Sequence, residues 1–297
     1  MGTLASTVST AAGLAMIVLA GRDALAALFR PEGRATFARL IARAEWRLFR
    51  IGGPRHPLFV LAGPTVLVTV IATWAALLIL GWALVFWPQM PSGFRFQPGV
   101  EAAGSNFVHA LNVSLVTLTT LGFGDITPKA DLLRVVVPME ALVGFGLLTL
   151  SISWLLLIYP VLGRRRSLAY EIWLLRVAET DTGVSLDRLA PAAAERVYAE
   201  LTSRLVAVER DLVNFPISYY FTEADPRFSL PAVAPYLLML GRRGSEDGKP
   251  ERIRLRADLL LRAVHDFART TAGFHRRDVA TPDEMLRAYA QDHLLEA

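Results

Sequence analysis

The hydrophobic positions of this chain fall into long uncharged runs, and the charged positions gather between them. No charged residue occurs from His56 to Phe94, and within that stretch Leu58 to Trp87 is apolar apart from small breaks such as Thr65, Thr69 and Thr73. About 20 apolar residues suffice to cross a bilayer as a helix, so this run predicts a span. Pro64 falls in its first turn, where a missing N–H costs little, and Trp82 and Trp87 near the far end suit an interfacial aromatic belt. A second run, Val135 to Leu162, carries one charged residue, Glu140. Tyr159-Pro160 is expected to end or kink that span. A third run, Leu4 to about Phe29, is richer in Ala, Ser and Thr and is interrupted by Arg22-Asp23. It reads as a retained N-terminal helix or as a cleaved signal peptide. The second reading lacks the usual basic residues ahead of the apolar core.

Composition agrees with spans: 53% of the 297 residues are hydrophobic. With no cysteine, a disulfide framework, a thiol nucleophile or a cysteine zinc site is excluded. The formal charge is +4 and nearly all of the basic residues are arginine, Lys129 and Lys249 being the only lysines. A basic balance points to nucleic acid or to anionic lipid, and the placement of the arginines decides for lipid. Arg30, Arg34, Arg39, Arg43, Arg47, Arg50 and Arg55 lie between the first two apolar runs, and Arg164, Arg165 and Arg166 directly follow the last. Only Arg95, Lys129 and Arg134 lie between the runs that flank residues 88–130. Positive charge marks cytoplasmic loops, so 30–56 and everything after 163 are expected in the cytoplasm and 88–130 outside, in a cell membrane of prokaryotic type. The domains expected are 1–29, an N-terminal transmembrane helix; 30–56, a basic amphipathic linker; 57–163, a membrane domain; and 164–297, a helical cytoplasmic domain. Within the linker, Arg39, Arg43, Arg47 and Arg50 line one side of a helix while Phe37, Leu40, Ile41, Ala44, Leu48 and Phe49 supply apolar area. Two readings fit: an interfacial helix with its arginines at anionic headgroups, or an amphipathic helix packed on the cytoplasmic domain.

The segment between the two longer spans has two halves. Pro88 to Gly104 is rich in Pro and Gly and reads as irregular loop. Asn106 to Thr119 is apolar and free of both, and its 14 residues would make a helix of about 20 Å, too short to cross. It must enter and return. Then comes TTLGFGD, Thr119 to Asp125. Non-helical backbone at membrane depth is tolerated only in protein or beside water. A dehydrated cation needs several oxygens at short range, and consecutive carbonyls supply them if the backbone alternates into the left-handed region, which glycine enters freely. Gly122 and Gly124 have that spacing. The carbonyls of Thr120, Leu121, Gly122 and Phe123, with the Thr120 hydroxyl, would form stacked oxygen rings.

"FVHALNVSLVTLTTLGFGDITP", with its S-x-x-T-x-T-T approach and D-I-T-P exit, resembles the pore helix and selectivity filter of tetrameric potassium channels of the two-transmembrane pore-loop family, here with an extra N-terminal helix. The resemblance covers about Leu58 to Leu162. It implies an all-α membrane protein: span, re-entrant pore helix, span, followed by a helical cytoplasmic C-terminal domain. It implies potassium ions held by Thr120, Leu121, Gly122, Phe123 and Gly124, no other metal, and support of the filter from Thr119, Asp125 and Glu140. One loop cannot enclose an axis, so a homotetramer is implied. Phe123 stands where that family has tyrosine, Leu121 where it has valine, and Asn112 and Val113 where aromatic residues form a cuff. A weakly selective cation channel of the same architecture, and a non-conducting membrane receptor, are the alternatives.

Glu140 reads either as a carboxyl bonding the pore helix from behind or as a group reaching the outer headgroups. Gly144 and Gly146 read either as a gating hinge or as sites of close helix packing. In the C-terminal part, helices are expected over Leu168–Glu179, Leu186–Asn214 and Ile253–Phe274, with a last one starting at Thr281-Pro282. "FPISYYFTEADPRFSLP" reads as a packed turn or connector. No dinucleotide, Walker or EF-hand motif occurs, the histidines follow no metal-ligand spacing, no catalytic constellation is visible, and any cytoplasmic ligand is left unidentified.

Overall fold

The computed structural model describes residues 2–29, 36–51, 57–99, 107–274 and 281–293. The ends of the linker, including Arg30, Arg34 and Arg55, together with Asn106 and His275, lie outside the described residues. The described residues are almost all helical, with three helices long and apolar enough to cross a membrane and a shorter apolar helix, Phe107–Leu118, between the last two. Two compact units can be described: Met1–Ile41 with Leu67–Leu156, and Ala42–Val66 with Leu157–Ala297.

In the first unit, helix α1 (Thr3–Phe29) packs on α3 (Ala62–Phe86) through small residues. A Cβ on Gly13 would lie 2.4 Å from Gly81 O, so the backbones meet directly there. Ser9 Oγ donates to Leu84 O at 2.8 Å. Asp23 does not break α1. Its buried carboxylate accepts from the Phe37 and Ala38 N–H groups (3.1 and 3.3 Å) and from Trp74 Nε1 (3.0 Å). Those amides open α2 (Thr36–Ile51), so Asp23 satisfies donors that a helix start leaves unpaired.

Helix α4 (Phe107–Leu118) follows the loop, and α5 (Asp131–Thr182) follows the TTLGFGD segment. Between them a two-stranded antiparallel ribbon pairs β1 (Phe94–Phe96) with β2 (Ile126–Pro128), Arg95 opposite Thr127. The ribbon corrects the reading of residues 88–104 as loop throughout. Three residues per strand are too few for an alternating pattern to register in sequence. The unit's core gathers Leu78, Trp82, Phe86, Phe94, Val113 and Leu133 from all of these elements.

A second correction concerns α5, which does not end at Tyr159-Pro160 but runs unbroken to Thr182. Pro160 removes one helical N–H donor, yet the next turn is held from outside the helix. Arg165 donates to Ser218 O (2.6 Å) and Phe221 O (2.7 Å), and Arg164 grips Asp211 through two nitrogens (2.6 and 2.8 Å). The helix stops where Gly183 adopts φ +67° and its N–H returns to Glu179 O at 3.0 Å, a left-handed cap.

In the second unit α6 (Pro191–Asn214), α7 (Leu230–Gly244), α8 (Glu251–Ala272) and α9 (Pro282–Asp292) pack around α8. Ile253, Ala257, Leu260, Val264, Phe267 and Thr271 are buried at spacings of three and four, one face of α8. α9 starts on the capping box of Thr281 and Glu284. Helix α7 was not expected: the stretch read as a packed turn or connector, Phe215–Pro231, runs into its first turn. Pro231 occupies the first turn, where it is tolerated. The 42–51 part of α2 packs in this unit, with Trp46 buried against Phe59, Tyr220 and His293. Leu48 and Ile51 stay exposed on the same helix.

Candidate ion-conducting site

Helix α4 ends at Leu118, and the chain folds back under its last turn. The N–H groups of Thr120 and Leu121 bond to Thr117 O (3.0 Å) and Val116 O (2.9 Å), and Gly122 N reaches Val116 O at 3.4 Å. The donors of this stretch are thereby turned inward. Backbone φ is +60° at Thr120, +62° at Gly122 and +76° at Gly124, and not positive at Leu121 or Phe123 between them. The alternation that points successive carbonyls to one side is present over 120–124. Thr120 carries a β-branched side chain in a region that costs an L-residue about 1–2 kcal/mol, so the surroundings hold it there.

The ribbon clamps the far end. Gln97 N donates to Asp125 O (2.9 Å) and Gln97 Nε2 to Gly124 O (3.0 Å), while Lys129 N and Ala130 N both donate to Gly93 O (2.8 and 3.2 Å). Phe96 meets His109, and Trp87 meets Phe107, edge to face. Gln97 had no sequence signal, since its partners lie beyond α4. Within the chain, the expected side-chain bond from Asp125 behind the filter is not among the hydrogen bonds of the described residues. Asp125 is engaged through its backbone carbonyl. Thr119 Oγ1 donates back to Leu115 O at 2.6 Å.

Helix α5 supports α4 at two levels. Glu140 is fully buried, and its Oε1 lies 2.5 Å from Ser114 Oγ, which also lies 2.9 Å from Ile79 O on α3. Ser114 has one hydroxyl proton and cannot donate to both neighbours at once, and the buried Glu140 Oε2 has no hydrogen-bond partner among the described residues. One turn further on, a Cβ at Gly144 would sit 2.1 Å from Leu118 O, the last carbonyl of α4, whereas at Gly146 it would meet nothing. At Gly144, helix backbone touches pore-helix backbone.

The other side of the site is open. Leu121 and Phe123 are 62% and 69% exposed, and with Val108, Leu115 and Val116 they border a mainly apolar hollow of about 420 Å³. On α5, Leu132, Val135, Met139, Leu142 and Phe145 continue an exposed apolar stripe at spacings of three and four.

Comparison with known proteins bears on this segment. Residues 65–157 match the family described as ion channel. A protein of Bacillus subtilis (strain 168), named as uncharacterized membrane protein YdjJ, is 26% identical over 163 residues, which cover 54% of this chain and 47% of that protein. The chain thus spans about half the length of that relative. No solved structure matches the chain. Two apolar spans joined by a re-entrant helix and an alternating backbone, together with the family match over 65–157, identify this segment as an ion-channel pore of the two-transmembrane type.

Proposed function

We propose that the chain is a potassium-selective channel in which residues 120–124 of four identical subunits surround a common axis. The observation that carries this reading is the alternation of left-handed φ at Thr120, Gly122 and Gly124 with the carbonyls between them unspent on the chain itself. Rings of carbonyls and the Thr120 hydroxyl replace the water of a potassium ion. The C-terminal, negative end of the α4 dipole favours a cation below them. Four copies supply what one lacks, because the exposed Leu121, Phe123 and α5 stripe then find neighbours. In this reading no further cofactor is needed. The N-terminal linker and residues after 163 face the cytoplasm of a cell membrane, and the linker arginines lie near anionic headgroups. Gly146 remains free to bend α5 during gating.

A weakly selective cation channel is the second reading. It is favoured by Phe123, whose ring has no hydroxyl to tie the filter to its scaffold, and by the absence, among the described residues, of a hydrogen bond from the Asp125 side chain. Bi-ionic reversal potentials of the purified protein in planar bilayers decide. A potential close to the potassium equilibrium value supports selectivity. One near zero supports the second reading, and no current at all leaves a receptor.

A further inference from the structure

The arginines of α2 have no part in the pore. Arg43, Arg47 and Arg50 recur at i, i+4 and i+7, so they share one side of the helix. They border a cavity of about 240 Å³ closed on the far side by α9 and by aromatic rings. Its floor is tightly built. Phe274 stacks on Tyr219 with centroids 4.3 Å apart and planes within 2°. Tyr219 Oη and Trp46 Nε1 both donate to Asp292 (2.6 and 2.9 Å), and Arg50 adds a third bond at 2.8 Å.

The charges in this cavity do not balance. Asp292 is the only carboxylate among its described lining residues, and three donors already occupy it. Arg43 and Arg47 have no acidic partner among the described residues. The buried Nε of Arg50 finds no acceptor. Among the described lining residues, three guanidinium groups against one carboxylate leave an excess of two positive charges in a half-enclosed space. Guanidinium forks fit the paired oxygens of phosphate better than any other common anion except carboxylate.

Two further observations say where such a phosphate comes from. Trp46, in the cavity wall, touches Phe59, the first residue of the apolar span Phe59–Gln89, at 5.3 Å. Beside the arginines, Leu48 and Ile51 are 67% and 82% exposed. A ligand with a phosphate head and an apolar tail satisfies the guanidinium groups and these side chains together. We propose that the cavity between α2 and α9 binds the phosphate of an anionic membrane lipid.

The test uses the purified full-length protein in a neutral detergent, titrated with dioctanoyl phosphatidylglycerol, dioctanoyl phosphatidylcholine or sodium phosphate, with binding read by native mass spectrometry. The expected result is saturable binding of the glycerol lipid, and a loss on the order of tenfold or more in the Arg43→Gln/Arg47→Gln variant, since each arginine near a lipid surface contributes about a factor of five. Neither side chain holds another element, so the variant should keep the wild-type melting temperature. Arg210→Gln/Arg252→Gln removes the same charge from exposed positions elsewhere and should bind as wild type. Equal loss in both variants would mean attraction by net charge, and the proposal fails. Sodium phosphate competing as well as the lipid at equal concentration overturns the lipid source. Unchanged binding in Arg43→Gln/Arg47→Gln overturns the site.

Discussion

The segment around residues 119–125 and the C-terminal helical unit solve opposite problems. In the C-terminal unit the largest side chains are hidden within one chain: Tyr198 is 0%, Tyr219 and Phe267 1% and Tyr289 2% exposed. Its polar groups also close on one another, as when Glu179 receives Tyr236, Arg243 and the Leu186 N–H. Around the filter the polar contacts are equally specific, but Leu121, Phe123, Val135 and Leu142 are more than 60% exposed. The first region is a finished core. The second has its scaffold on one side and an unfinished apolar surface on the other. Exposure of this kind marks a face that the chain itself does not cover, although the Thr120, Leu121 and Gly122 N–H groups beside it are bonded.

The largest effect should follow Gly122→Ala. An added Cβ at Gly122 meets nothing within 4 Å, so the cost is conformational: about 1–2 kcal/mol per subunit for a side chain at φ +62°, multiplied around the ring. Ion flux into proteoliposomes should vanish while the oligomer seen by size exclusion is unchanged. Full flux in the mutant would remove the filter assignment. Next comes Arg165→Ala in the finished region. It strips donors from Ser218 O and Phe221 O, both sheltered, and each buried acceptor left unsatisfied costs about 1–3 kcal/mol. The melting temperature should fall while the reversal potential stays put. A shift in reversal potential would show that the two regions are not separable.

Glu140→Ala should destabilise the channel by about 1–3 kcal/mol, with loss of the Ser114 contact. Glu140→Gln keeps a donor for Ser114 and should retain most of the current. Equal damage from both would mean that the carboxylate charge itself matters, not the bond to α4. The smallest effect is expected for Phe123→Tyr. A hydroxyl restored at this exposed ring contributes about 0.5–1.5 kcal/mol if it finds a partner. Steady-state current at low external potassium should then persist longer than in wild type. Identical decay in the two proteins would show that the missing tether does not limit the filter.

Much of the pore was legible because its signals are local. An uncharged run of span length, a short helix without Gly or Pro, and glycines two apart each announce themselves within a few residues. What escaped depends on distant partners. Asp23 reads as an interruption until Trp74 and the start of α2 are seen to meet it. Gln97 reads as loop until Gly124 and Asp125 arrive. The length of α5 was hidden for the same reason: Pro160 predicts an end or a kink, and the bonds of Arg164 and Arg165 to residues 211–221 hold the turn beyond it. Prolines also hid α7, although its buried Leu230, Val233, Leu237 and Leu240 keep helical spacing.

The Asp23 carboxylate also sets an order in time. Its amide donors at Phe37 and Ala38 follow it by 14 and 15 residues, and the Trp74 indole by 51. A ribosome adding roughly 5–20 residues per second delivers the amides about one to three seconds after Asp23 and the indole about three to ten seconds after it. Until then these three bonds cannot form, and a carboxylate that lacks donors is costly inside a bilayer. Helix α1 can therefore be secured by this carboxylate only once α3 has been made, although α1 precedes α3 in the chain.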